Sequence, residues 1–114
     1  MKLFAIALIL AAAACDAGHP LAGGTEDGAA IFHSVCVTCH GPTGKPSEAM
    51  VVRLGVKDLT APALRAKITP GLVEHQVRAG SSNRLMPSFE GALNDAQIRA
   101  VAAYVASPQF VAPK

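Results

Sequence analysis

An all-α fold of three to four helices is what the sequence predicts, and three observations carry that prediction. Apolar residues recur at helical spacing over residues 28–35 and 98–105. Capping residues, Pro and Gly stand at the ends of these stretches and of two more between them. No stretch alternates apolar and polar residues well enough to make a convincing strand. At 114 residues the chain has room for one domain.

The sequence opens MKLFAIALILAAAAC, with one Lys, an apolar stretch from Leu3 to Leu10, and a run of alanines. This is the pattern of an export signal, and its apolar stretch is shorter than the ~20 residues a membrane-spanning helix needs. Residues 1–14 are therefore expected to be removed, and the remainder to be periplasmic or otherwise outside the cytosolic membrane. Cys15 would begin the mature chain, ahead of a flexible Gly-rich linker over 15–24. The alanines before Cys15 resemble a bacterial lipoprotein signal, with Ala12 departing from its usual Leu. Lipidation of Cys15 would account for an otherwise unpaired exported thiol and would tether the protein to a membrane. The remaining 100 residues contain no Trp, one Tyr and three Phe, little bulky material for a core. A large apolar cofactor would fill that gap.

The first helix is expected over TEDGAAIFHSV, from residue 25. Thr25 can cap it, Glu26 and Asp27 fall in the first turn where the helix dipole favours acids, and Gly28, Ile31, Phe32 and Val35 share a face. Its end runs into CVTCH at 36–40. Two thiols and an imidazole this close suit a redox dithiol, half a zinc site, or covalent attachment of haem. A zinc site needs about four ligands, and beyond His40 only His75 and no further cysteine remain. A dithiol redox motif is expected to open a helix after a strand, whereas this one closes a helix. Haem fits: Cys36 and Cys39 can reach two vinyl groups on one edge of the porphyrin, while His40 offers its imidazole to the iron.

Residues 41–56, GPTGKPSEAMVVRLGV, look least like a regular element. Two helical signals follow. LTAPALRAKI has Thr60 as a cap with Pro62 in the first turn, and TPGLVEHQVRAG has Thr69 as cap, Pro70 at the first helical position and Gly80 as the stop. Met86 then stands in the loop-like NRLMPSFEG, with Pro87 restricting the backbone behind it, well placed to present a thioether as second iron ligand. Of the other candidates, Met50 lies only ten residues after His40 and reads as packing. His75 reads as a half-exposed helix residue, His33 as an outer-face neighbour of the motif, and His19 as part of the linker. The last helix has Asn94 as N-cap with Gln97 three residues on, Ile98, Val101, Ala102 and Val105 on one face, and Pro108 past its end. Residues 108–114 are taken as a tail.

Taken together, GAAIFHSVCVTCHG, LMPSF and LNDAQIRAVAAYV resemble, in order, the class I monohaem c-type cytochromes of bacteria. The resemblance covers residues 25–107, which it implies form the cytochrome c domain. It further implies one covalent haem c, with Cys36 and Cys39 as thioethers and His40 and Met86 as axial iron ligands. The last helix should cross the first near its start, with Gly28 permitting close approach to Tyr104. A proline carbonyl, from Pro42 or Pro46, should accept the free N–H of His40. Leu59, Leu64, Ile68, Leu85, Phe89 and Phe32 are expected to line the haem pocket.

The implied function is transfer of single electrons between redox protein partners such as a respiratory complex, a dehydrogenase or an oxidase. An iron with both axial positions filled has no open site for substrate, so an enzyme is not expected. The alternatives are a haem-based ligand-binding or sensing module, should Met86 be unbound, and the haem subunit of a larger dehydrogenase. Residues 45–84 hold seven basic and three acidic residues, a net of +4, which would steer an acidic redox partner. Nucleic-acid binding has no support.

Overall fold

The computed structural model describes residues 21–113. Residues 1–14, expected to be an export segment, together with Cys15, His19 and most of the expected linker, lie outside the described residues. Within them there are no strands, only an isolated bridge between Glu90 and Leu93.

The first helical run starts at α1 (Gly28–Ile31), passes through a π-helical turn (Phe32–Cys36) and ends as α2 (Val37–His40). Asp27 caps it, its carboxylate accepting from the backbone N–H groups of Ala29 and Ala30 at 2.9 and 3.2 Å. Thr25, expected in that role, instead accepts from the N–H of Asp27. The correction is geometric: an Asp nearer the first free N–H groups outcompetes a Thr two residues upstream. Gly41, at a φ of 76°, ends the run.

The segment expected to be irregular contains α3 (Glu48–Leu54). Ser47 caps it by accepting from the N–H of Met50, and Gly55 closes it in the left-handed conformation. Next come α4 (Pro62–Arg65) and α5 (Pro70–Ala79). The cap of α4 is Ala61, while Thr60 donates its hydroxyl to Asp58 at 2.6 Å in a turn ahead of the helix. Thr69, Pro70 and Gly80 bound α5 as expected. In α6 (Asp95–Ala106), Asn94 accepts from the N–H of Gln97 at 2.8 Å and the Gln97 side chain accepts from the N–H of Asn94 at 3.0 Å, a complete capping box. Counting the first run as one, this makes five helices. A 3₁₀ turn (Pro108–Val111) follows, so the residues taken as a tail begin with an ordered turn that carries Phe110 into the core at 5% exposure.

The core is the crossing of the first helical run with α6. Ile31 and Phe32 from one side meet Ile98, Val101, Ala102 and Val105 from the other, with Val77 of α5, Leu93 and Phe110 around them. Burying each large apolar side chain contributes about 1.5–3 kcal/mol relative to exposure. Gly28 makes the crossing possible, because a Cβ there would strike the carbonyl oxygen of Ala100 and lie 2.7 Å from the Cβ of Tyr104. Phe32, Tyr104 and Phe110 form an aromatic cluster with centroids 5.0–6.0 Å apart. Arg65 lies over the Phe110 ring and donates to the carbonyls of Val105 at 2.7 Å and Ser107 at 2.9 Å, which satisfies the end of α6 and joins α4 to it. Gln97, fully buried, donates to the carbonyls of Gly23 and Thr25, both at 2.9 Å, and so fixes the chain where it enters the domain.

Candidate haem site

Cys36, Cys39 and His40 come together because one helical run carries all three, and all are half-buried at its exit. The π turn ends at Cys36, so the motif starts where the helix changes pitch. Helical wide turns of this kind recur at functional sites. The two cysteines are not joined to each other, and in the protein before haem attachment burial together with Cys39 pushes the Cys36 thiol up to about 11.

His40 has one ring nitrogen fixed. Its Nδ1 lies 3.1 Å from the carbonyl oxygen of Lys57. A carbonyl can only accept, so Nδ1 carries the proton and Nε2 is left with its lone pair, the form a metal ligand requires. Burial holds the imidazole below its ordinary pKa, partly opposed by this hydrogen bond, and so favours the same neutral form. The expected acceptors, Pro42 and Pro46, are not the ones used. The turn after the motif is fastened to the 57–59 segment by the Leu59 N–H donating to the Gly44 carbonyl at 2.9 Å, which brings Lys57 to the ring. Only a contact across 17 residues could supply this partner, and no local signal in the sequence marks it.

Met86 is half-buried in the loop between α5 and α6 and packs against the same buried core as Cys36. Ser81 brackets it: the N–H of Ser81 donates to the Met86 carbonyl at 2.9 Å, and the N–H of Met86 donates to the Ser81 hydroxyl at 3.0 Å. Gly80 lies beneath, where a Cβ would be 2.6 Å from the Met86 carbonyl oxygen. Beyond it, the Phe89 N–H donates to the Val77 carbonyl at 3.0 Å, and the Ser88 hydroxyl donates to the carbonyl of Arg78. The Arg78 guanidinium in turn pairs with Glu74, Glu90 and Asp95 at 2.8–3.1 Å, binding α5, the loop exit and the start of α6 together.

Of the expected pocket residues, Leu59, Leu64, Ile68 and Phe89 are half-buried and Leu85 is half exposed. Phe32 is instead sealed into the helix crossing at 1% exposure, because its face of the π turn points to α6 and Phe110. His33 and His75 are exposed, and Met50 is half-buried on α3. Among the described residues, no three His, Cys, Asp or Glu side chains gather as a cluster for a free metal ion. The donor set of two thiols, one lone-pair imidazole and one thioether, with half-covered apolar side chains around them, fits an iron porphyrin.

A helical fold with no strands among the described residues, whose first helical run ends in Cys36, Cys39 and His40, is the framework of a c-type cytochrome. The chain belongs to this class: residues 23–105 match the family described as cytochrome c oxidase, cbb3-type, subunit III. It is 36% identical to cytochrome c6 of a Picosynechococcus species over 92% of each chain. Among solved structures it is similar to the KustC0563 c-type cytochrome, with 25% identity and a TM-score of 0.62 over 70% of this chain and 94% of that one. The cofactor is covalent haem c with its iron, and the chemistry is haem-based electron transfer.

Proposed function

We propose that the protein is an exported single-electron carrier whose haem is held by thioethers from Cys36 and Cys39, with His40 and Met86 as the axial ligands. The observation that carries this reading is the His40–Lys57 hydrogen bond, which leaves Nε2 as a lone-pair donor beside the two thiols. Haem c supplies an iron that cycles between ferric and ferrous. The residues of the chain set the conditions for that cycle. Lys57 holds the imidazole in one tautomer and orientation. A neutral thioether from Met86 favours ferrous iron and raises the potential relative to two imidazoles. Leu59, Leu64, Ile68 and Phe89 exclude water and disfavour the more highly charged ferric state. With His40 and Met86 both holding the iron, no position would be left on it for a substrate.

The partners are redox proteins: a respiratory complex, a dehydrogenase or an oxidase. Of the seven basic residues between 45 and 84, Arg65 and Arg78 are engaged inside the fold, while Lys45, Arg53, Lys57, Lys67 and Arg84 are exposed. These five are the exposed positive charges available to an acidic partner. Export follows from residues 1–14, and Cys15 as a lipidated first residue would keep the carrier at a membrane surface. No helix among the described residues is long and apolar enough to cross a membrane.

The test is an optical spectrum of the haem-loaded protein, oxidised and reduced, beside Met86→Ala. The sulfur-to-iron charge-transfer band of the oxidised form is expected in the wild type and absent in the variant. A wild type without that band, whose reduced form takes up carbon monoxide rapidly, would replace the carrier reading with a ligand-binding one.

A further inference from the structure

We infer that Ser81, together with Asn83, is a positioning pair that sets how firmly Met86 holds the iron. This rests on the His40/Met86 reading and extends it to residues outside the proposed ligand set.

The loop from Ser81 to Met86 is closed by its own polar groups. At its base, the backbone N–H of Ser81 donates to the Met86 carbonyl at 2.9 Å. The Ser81 hydroxyl has two tasks: it accepts from the N–H of Met86 at 3.0 Å and donates to the side-chain oxygen of Asn83 at 2.6 Å. That same Asn83 oxygen accepts from the N–H of Leu85 at 3.1 Å. The amide protons of Met86, which carries the thioether, and of Leu85 before it are therefore both collected by one Ser–Asn chain. A further bond, from the Arg84 N–H to the Ser81 carbonyl at 3.0 Å, completes the turn and holds Arg84 at a φ of 61°. Arg84 is the only residue other than glycine with positive φ among the described residues. Such a conformation persists only where surrounding bonds over-determine it.

The physical consequence is preorganisation. A Met on a loose loop loses backbone entropy each time it binds iron, whereas one on a closed loop has already lost it. Removing the Ser81 hydroxyl strands both the Met86 N–H and the Asn83 oxygen. The loop then opens more often, and the thioether leaves the iron more often.

The experiment uses the haem-loaded full chain as wild type, Ser81→Ala, Ser81→Thr, Asn83→Ala and Met86→Ala. It reads the charge-transfer band against temperature and the rate of carbon monoxide uptake by the reduced form. Ser81→Ala and Asn83→Ala should each take up carbon monoxide roughly tenfold faster, the scale of one lost hydrogen bond, and lose the band at lower temperature. Helical content and haem attachment should stay as in wild type. Ser81→Thr, which keeps the hydroxyl, should return both readings to wild type. Uptake in Ser81→Ala equal to wild type, with Met86→Ala fast, overturns the positioning role and leaves Met ligation standing. A Met86→Ala protein indistinguishable from wild type overturns both, and does so without reference to Ser81.

Discussion

His40 and Met86 stand on supports of different reach. The imidazole is braced by Lys57, 17 residues on, and the turn behind it is packed against Phe110, since a Cβ on Gly44 would run into that ring. Phe110 in turn is held by Phe32, Tyr104 and Arg65. Met86, by contrast, takes its nearest bonds from Ser81, five residues away, in a loop that closes on itself. A support assembled from distant parts is lost only when the fold is lost, whereas a local one can open alone. Of the two proposed iron ligands, one would therefore depend on global stability and the other on a loop.

The comparison can be broken first at the anchor itself. Cys36→Ser combined with Cys39→Ser should abolish covalent haem, read as loss of haem staining on a denaturing gel, and this is the largest effect expected. Next, Phe110→Ala should cost about 3–5 kcal/mol through the cavity it leaves, lowering Tm by well over 10 °C and loosening the His40 side although the residue lies 70 positions from it. A Tm within a few degrees of wild type would show that the His side does not depend on this cluster. Gly80→Ala should act the other way round. The added Cβ collides with the Met86 carbonyl, and the φ of 72° disfavours any side chain. Loss of the charge-transfer band should then far exceed the fall in helical stability, which circular dichroism measures separately.

The smallest effect concerns acid. Hydrogen bonds from Arg78, and then its charge, hold the Asp95 carboxyl below the usual range. A carboxyl whose folded pKa is depressed contributes stability above its unfolded pKa, and that stability is lost as pH falls through the folded value. Thermal unfolding of the wild type should thus weaken slightly on acidification below about pH 4, the ordinary Asp range. Arg78→Ala should flatten that part of the profile. Because Asp95 is exposed, the change is expected to be small.

The sequence revealed the parts whose causes are local. Thr69, Pro70 and Gly80 around α5 and the Asn94–Gln97 box of α6 each act within a turn or two, so they could be read directly. The apolar stripe of α6 was legible for the same reason, whereas the approach at Gly28 to Tyr104 was expected only from the family resemblance. Helix α3 was missed although Ser47, Glu48 and Gly55 mark its ends, because seven residues between prolines and glycines present too little periodicity to stand out. Asp27 and Ala61 displaced Thr25 and Thr60 as caps by one or two positions, which is the usual reach of competing side chains near a helix start. The Lys57 acceptor and the burial of Phe110 were out of reach for a different reason. Both depend on segments distant in sequence being brought together, and neither residue type announces such a contact.

The π turn has a practical consequence for anyone comparing or recombining these chains. A π turn winds five residues into a stretch that an α-helix crosses with about one fewer, so residues 32–36 shift the angular phase of everything after them. A relative whose helix is α throughout would align with this one residue for residue before Ile31 or after Val37, and would need a one-residue gap between. A chimera spliced inside that interval would rotate the two thiols and the imidazole by roughly a quarter turn, while a splice at Gly28 or Gly41 would leave them facing as they do now.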